Sequence, residues 1–364
     1  MKARSPSTIL VYIIGSLGDT VITLPSLIAL REYFGQKTKI YLLFDKQPYS
    51  RVTPDQLLED SHLVDGFINY EFKKSLLGRG RSLILLWWRI VKHRFDVVVY
   101  LIPSERSFIS VYRDKLFFVL CFIPRRLGFH VFDKKILYPR DKFNRPSFVT
   151  HESIFRLERL RLSGIGISEY SDLSKISLFL PSPKLDNIRN LFFSKLKYPD
   201  RYLVAICPGS EMPSKQWPIE RFMEIGRRLL EQEKFEIIII GGSGEYKNGQ
   251  LLVDDWNDGI NMTGSLSVRE SVSVLQLCAF SVGLDSGATH LAALVGIPCV
   301  AIYSQRDYPG RWYPLGNKYV IVTHALACAG CLKKICPIQG HPCMNNITSN
   351  EVWQAIIKIT SQIK

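Results

Sequence analysis

Twice along this chain a short, continuous run of apolar β-type residues gives way to a glycine turn and then to apolar residues at helical spacing, a pattern few folds admit. The first instance is a strand over residues 9–14, a turn at Gly15-Ser16-Leu17-Gly18-Asp19-Thr20, and a helix over residues 21–34. Further strands are predicted at 39–44, 64–69 and 96–101, parted by helical stretches such as 82–93. The pattern restarts with a strand at 202–206 and a helix at 218–231, followed by a strand at 236–240 and a helix at 267–277. A strand at 280–283, a helix at 288–295 and a strand at 299–303 follow, and an amphipathic helix over 349–363 closes the chain. Alternation of this kind implies parallel sheets covered by helices on both faces. A length of 364 residues exceeds one ordinary core and suits two of ~150 to 200 residues. The expected fold class is therefore α/β: two Rossmann-like, doubly wound lobes facing across a cleft. Their boundary is expected within residues 180–200, where Pro181, Pro183 and Pro199 surround one helix, giving domains 1–185 and 186–364.

Lys and Arg outnumber Asp and Glu by 47 to 33, a formal charge of +14 that favours polyanionic partners without choosing among lipid, nucleic acid and bilayer. No low-complexity tract or repeat marks disorder. Lys2 and Arg4 precede a short apolar run that reaches Gly15 before any cleavage-like site, so no signal peptide is expected. The most hydrophobic stretch, residues 83–91, is shorter than the ~20 residues a bilayer span needs and contains Arg89, so no transmembrane helix is expected.

Four constellations carry chemistry. In the first turn, glycines allow close backbone approach and Asp19 stands at the carboxyl end of a strand; the bland alternative is a tight βα turn capped by Asp19. The second, Pro208-Gly209-Ser210-Glu211-Met212-Pro213-Ser214-Lys215-Gln216-Trp217-Pro218, sets hydroxyls and a lysine beside a helix start, where amides and dipole favour phosphate. Gly241-Gly242-Ser243-Gly244-Glu245, the third, ends a strand with one carboxylate suited to a ribose diol or a base edge, and an ordinary glycine loop is the equal alternative. The fourth runs Gly283-Leu284-Asp285-Ser286-Gly287-Ala288-Thr289-His290-Leu291-Ala292-Ala293, a helix start offering amides to an anion with Asp285, Ser286 and His290 nearby.

In this order, and joined by Arg126-Leu127-Gly128-Phe129 and Arg311-Trp312-Tyr313-Pro314-Leu315-Gly316, the motifs resemble glycosyltransferase family 9, the lipopolysaccharide heptosyltransferases and their relatives. The resemblance covers nearly the whole chain. It implies a GT-B fold and an inverting, metal-independent transfer of a sugar from a nucleotide diphosphate, typically ADP-heptose, onto the inner core of lipid A. No cofactor beyond that donor is implied for catalysis, and the first domain is implied to hold the acceptor and the second the donor. Carried over by position, Asp19 is the general base, with Gly18 beside it in the binding turn. Ser210, Ser214 and Lys215 hold the leaving diphosphate, Glu245 the nucleoside, and Asp285, Ser286, Gly287 and His290 the donor sugar and phosphates. The chain departs from the family in the Tyr12-Ile13 context of its first strand and in Arg306.

Cys328, Cys331, Cys336 and Cys343 cluster in a loop-like stretch, and a structural zinc or a cross-linked loop is expected there as readily as reduced packing thiols. The other four cysteines lie in apolar contexts and read as core. Basic residues Lys73, Lys74, Arg79, Arg81, Arg89, Lys92 and Arg94 interleave with Leu83, Leu86, Trp87, Trp88 and Ile90. That suits either an amphipathic helix lying on anionic lipid or a Rossmann helix with a solvated basic face. Lys115, Phe117, Phe118, Arg125 and Arg126 form a second such cluster. A phosphorylated glycolipid acceptor, an anionic membrane surface, a monomeric state and a cytoplasmic location, peripheral on the inner face of the membrane, follow as expectations. No recognition motif for specific nucleic acid accompanies the charge. Two readings compete: the same fold and chemistry with a different sugar nucleotide or glycan acceptor, and a sugar-nucleotide-binding module that has lost turnover, against which the intact Asp19, Lys215, Asp285 and His290 argue.

Overall fold

The computed structural model describes residues 6–46, 52–71, 75–167 and 196–361. The chain divides into two compact units, Met1–Leu137 with Thr150–Leu178, and Tyr138–Val149 with Phe179–Lys364. The expected boundary at 185/186, Pro181 and Pro183, and the basic residues Lys2, Arg4, Lys73 and Lys74 lie outside the described residues.

The first unit is built on β1 (Thr8–Tyr12), α1 (Leu17–Phe34), β2 (Lys39–Asp45), α2 (Pro54–Leu58), β3 (Gly66–Tyr70), α3 (Leu76–His93) and β4 (Val97–Tyr100). It continues with α4 (Phe108–Leu120), β5 (Arg125–Leu127), α5 (Lys134–Leu137) and α6 (Glu152–Leu162). Its five strands run parallel in the order β3-β2-β1-β4-β5. Ile9, Leu10 and Val11 are wholly buried because helices cover both faces of the central strand, which is why β1 reads as an unbroken apolar run. Chain order reverses between β1 and β4, and the turn that leads to Asp19 leaves β1 at that point, where ligands of open α/β sheets bind.

The second unit comprises β6 (Tyr202–Cys207), α7 (Ile219–Leu230), β7 (Phe235–Ile239), α8 (Tyr246–Trp256), β8 (Ile260–Asn261), α9 (Val268–Leu275) and β9 (Cys278–Leu284). After these come α10 (Gly287–Leu294), β10 (Cys299–Ile302), β11 (Tyr319–Val322), α11 (Pro342–Asn345) and α12 (Ser349–Thr360). The six strands are again parallel, ordered β11-β10-β9-β6-β7-β8. The reversal here falls between β6 and β9, so the loops carrying Ser210 and Asp285 emerge side by side. Helix α7 buries Phe222, Ile225 and Leu229 at helical spacing, and α12 adds Val352, Trp353, Ile356 and Ile359 to the same core. Segment Tyr138–Val149 groups with this unit because Val149 N–H donates to Pro309 O at 2.8 Å and Tyr138 packs on Tyr308 and Arg311.

Candidate active site

Helix α1 starts earlier than the apolar spacing suggested, at Leu17, so Ser16 is its N-cap and Asp19 stands in the first turn. The amide and hydroxyl of Ser16 donate to Asp19 Oδ2 at 2.9 and 3.3 Å, satisfying an amide that the helix leaves without a partner. Gly15 has φ 133°, and a Cβ there would lie 2.2 Å from the Asp19 carboxyl carbon, so only glycine leaves room for the carboxylate. Gly18 is buried in the same turn.

The other carboxylate oxygen, Oδ1, accepts from Arg156 Nη2 at 3.3 Å. Arg156 reaches it from α6 and is 0% exposed, whereas the Asp19 side chain keeps 20% exposure. Arg156 Nη1 donates to the Asp19 carbonyl at 3.0 Å and to the Thr23 hydroxyl, and its Nε donates to Glu152 Oε1 at 3.3 Å. Glu152, equally buried, accepts the Ser104 amide at 2.7 Å and the Ser104 hydroxyl at 2.5 Å. A buried polar chain thus runs from Ser104 at the end of β4 to the cap of α1 and fixes the Asp19 carboxylate in one orientation. Glu152 and Arg156 were not singled out in the sequence. Their only signal is an i,i+4 acid–base spacing, which solvated helices show as well.

In the second unit the residues after β6, β7 and β9 come together. Ser210 Oγ donates to the Asp285 carbonyl at 3.4 Å, and Gln216 Nε2 donates to the Ser210 carbonyl at 3.1 Å. Glu245 lies over Gly209, so closely that a Cβ on that glycine would stand 2.1 Å from Glu245 Cγ. Lys215 Nζ lies 2.6 Å from Asp285 Oδ2 and 3.8 Å from Asp307 Oδ2. All three side chains are at most 13% exposed, so this cation is held at the carboxyl ends of the strands with little water around it. Arg306 Nη1 in turn holds Asp307 Oδ2 at 2.5 Å. The buried hydroxyls of Ser214, Ser286 and Ser304 have no hydrogen-bond partner among the described residues, leaving donors available to an anionic ligand. Ser286 and Gly287 open α10, and His290 is buried one turn in, its amide donating to the Ser286 carbonyl at 3.2 Å.

A narrow cavity beside Asp307 is lined by Tyr303, Gln305, Tyr308, Trp312 and Tyr313. Burial pushes the Tyr303 phenol well above its ordinary pKa, and the charges of Asp285 and Asp307 push it the same way. Tyr303 therefore stays neutral and donates to the Trp312 carbonyl at 2.8 Å. Tyr303 and Asp307 are site neighbours that no motif announced, whereas Arg306 stood out in the sequence only as a departure from the family pattern.

The expected zinc or cross-link among Cys328, Cys331, Cys336 and Cys343 is corrected by the structure. All four are free thiols, and among the described residues no group of three or more His, Cys, Asp or Glu is placed to hold a metal ion. The stretch is held by its backbone instead, with Cys343 buried and Cys331 exposed. Ser214 N–H donates to Lys334 O at 3.1 Å and Gly330 N–H to Gln305 O at 2.8 Å. Arg306 donates to the Lys333 and Leu332 carbonyls at 3.0 and 2.9 Å, and His341 Nε2 donates to Ser214 O at 3.2 Å. This tail is a strap across the loops that carry Ser214 and Arg306.

Residues 176–341 match the family model described as glycosyltransferase family 9 (heptosyltransferase). Over 129 residues the chain is 27% identical to lipopolysaccharide heptosyltransferase 2 of Salmonella typhimurium, covering 34% of this chain and 36% of that protein. The chain thus spans about a third of the length of such curated relatives. A family 9 glycosyltransferase structure from Veillonella parvula superposes with a TM-score of 0.72 at 20% identity, over 98% of this chain and 97% of the other. The Escherichia coli structure described as ADP-heptose lipopolysaccharide heptosyltransferase II gives 0.66 at 17% identity, over 97% and 98%. These likenesses show the two-sheet α/β fold.

Proposed function

We propose that the chain is a family 9 glycosyltransferase moving heptose from ADP-heptose onto a hydroxyl of a phosphorylated lipopolysaccharide inner-core acceptor, in the cytoplasm and as a monomer, a reading supported by the family model matched over residues 176–341. The observation that carries this reading is the largely buried Lys215 ammonium beside Asp285, together with the Ser214 and Ser286 hydroxyls that have no partner among the described residues, at the reversal of a doubly wound sheet. Such a pocket suits a diphosphate next to a polyhydroxylated sugar.

In the proposed reaction Asp19 takes the proton of the acceptor hydroxyl, whose oxygen forms a new bond to the anomeric carbon. The bond from that carbon to the β-phosphate oxygen breaks on the opposite side, so the centre inverts and ADP departs with both bonding electrons. Lys215 and the amides opening α10 take up the charge that develops on ADP, the role a divalent cation has in other transferases. Asp285 is assigned to the sugar hydroxyls and Glu245, over Gly209, to the nucleoside. Gly18, Ser210, Gly287 and His290 complete the proposed binding set.

Thermal melting against ADP-, UDP-, GDP- and dTDP-sugars tests the donor, since a ligand of the folded state raises its melting temperature by mass action. Stabilisation by ADP-heptose above the others is expected; stabilisation by a different nucleotide alone would replace the donor while keeping the chemistry. Asp19→Asn is expected to bind ADP-heptose as the parent does and to turn over at least roughly 100-fold more slowly. Parental turnover in that variant would leave the base without a role.

A further inference from the structure

Helices α3 and α4 bury one face each in the same core of the first unit, Leu86 and Ile90 from α3 and Val111 and Phe118 from α4. Trp87 Nε1 donates to the Leu120 carbonyl at 2.8 Å, tying the two helices side by side. Their outer faces are not the charged surface such helices normally present. On α3, Leu77, Ile84, Leu85 and Trp88 point outward, with Leu77 92% and Trp88 62% exposed. On α4, Phe108, Ile109, Tyr112 and Leu116 do the same, Ile109 being 79% exposed, and Phe122 follows just beyond the helix. Single exposed apolar side chains are ordinary; two adjacent helices lined with them are a docking surface.

The charge on this surface has one sign. Helix α3 contains Arg79, Arg81, Arg89 and Lys92 and no acidic residue. The one acid of α4, Asp114, is buried and bonded to the Tyr100 hydroxyl at 2.8 Å and to Arg113 Nη2 at 2.7 Å, so it does not face outward. We propose that the α3–α4 face docks on an anionic lipid bilayer, with the apolar side chains entering the headgroup–acyl boundary while the arginine and lysine stems reach lipid phosphates. A two-fold pairing of this face with a second copy would set cation against cation. Spanning is excluded for the described helices, none of which is long and apolar enough to cross a membrane.

Of the apolar residues in the sequence pattern, Leu86 and Ile90 face the core while Leu83 and Trp88 are exposed, and the outward-facing set continues onto α4. The inference rests on the proposed reaction only for the meaning of a lipid-borne acceptor, and its test reads binding alone. The full chain is to be sedimented with vesicles of phosphatidylcholine, with and without phosphatidylglycerol, beside an Ile84→Glu/Ile109→Glu variant. The parent is expected to partition onto the phosphatidylglycerol vesicles and the variant to do so at least roughly tenfold more weakly. Circular dichroism and stabilisation by ADP-heptose are expected to be the same in both, which separates this inference from the donor assignment. Equal partitioning of variant and parent would overturn it, as would indifference to phosphatidylglycerol or a parental dimer that the variant dissociates.

Discussion

Replacing Arg156 by methionine tests the buried chain behind Asp19, because stability and turnover should respond to it differently. The side chain is fully buried and bonds Glu152, Thr23 and both the carbonyl and carboxylate of Asp19. Removing one member of a buried ion pair costs roughly 3–5 kcal/mol, since the other charge is left without compensation. Glu152 would retain the Ser104 amide and hydroxyl, at 2.7 and 2.5 Å, and Asp19 would retain Ser16 and its 20% exposure. The lower end, about 3 kcal/mol, is therefore expected, a fall of roughly 6–12 °C in melting temperature for a unit of this size. Adding Glu152→Gln removes the stranded charge and should restore about half of that loss, read as coupling in a double-mutant cycle. Turnover should behave otherwise. Without Nη2 the Asp19 carboxylate keeps its bonds from Ser16 on Oδ2 but loses the one from Arg156 on Oδ1, and kcat is expected to drop on the order of 100-fold in the single and the double variant alike, with KM for donor little changed. A purely structural arginine would show kcat recovering along with stability in the double variant. That recovery, or a stability loss under about 1 kcal/mol in the single variant, would refute the reasoning.

Lys215→Met leaves Asp285 and Asp307 without their shared ammonium and removes the charge assigned to the leaving diphosphate. Binding of ADP by calorimetry is expected to weaken roughly 10- to 100-fold, and parental affinity would take Lys215 out of the phosphate site. Gly209→Ala drives a methyl into Glu245, so nucleoside affinity should fall while the Asp19 unit is unaffected; crystallography or competition with ADP and ribose-5-phosphate would show whether Glu245 has been displaced. At the opposite end of the first sheet, burial pushes the Asp65 carboxyl up, but Arg31 at 2.8 Å, the Ile40 amide and Lys39 outweigh it and hold it below its usual 3.8. Its contribution is complete above that value and lost as pH falls through it and then through the folded pKa. Asp65→Asn is therefore expected to melt lower than the parent at neutral pH, the gap closing in acid, with kcat unchanged throughout.

What could be read in the sequence was whatever local pattern alone decides. Strands β1, β2, β6 and β7 announced themselves because a strand covered on both faces must be apolar at every position, as Ile9 to Val11 and Ile237 to Ile239 are. The start of α9 was legible for the same reason, since Ser267 caps it through a box with Glu270 that lies within four residues. Asp19 illustrates the limit. The glycine turn marked its place, but whether it caps a helix or serves chemistry depends on a guanidinium 137 residues away, and no local pattern encodes that pairing.

Two segments for which the sequence left alternatives open show the same physical limit. Four cysteines in a short loop have the composition of a metal site, yet ligation needs the thiols to converge, and this backbone spends its bonds on Ser214, Gln305 and Arg306 instead. Helix α3 is the inverse case: its pattern offers two apolar stripes, one through Leu86 and Ile90 and one through Ile84 and Trp88, and only packing decides which meets the core. Once Leu86 and Ile90 are buried beside Phe118, the surplus stripe has to face solvent or a partner. A sequence with more apolar surface than its own core can cover, and cations around the remainder, specifies an interface as firmly as it specifies the fold beneath it.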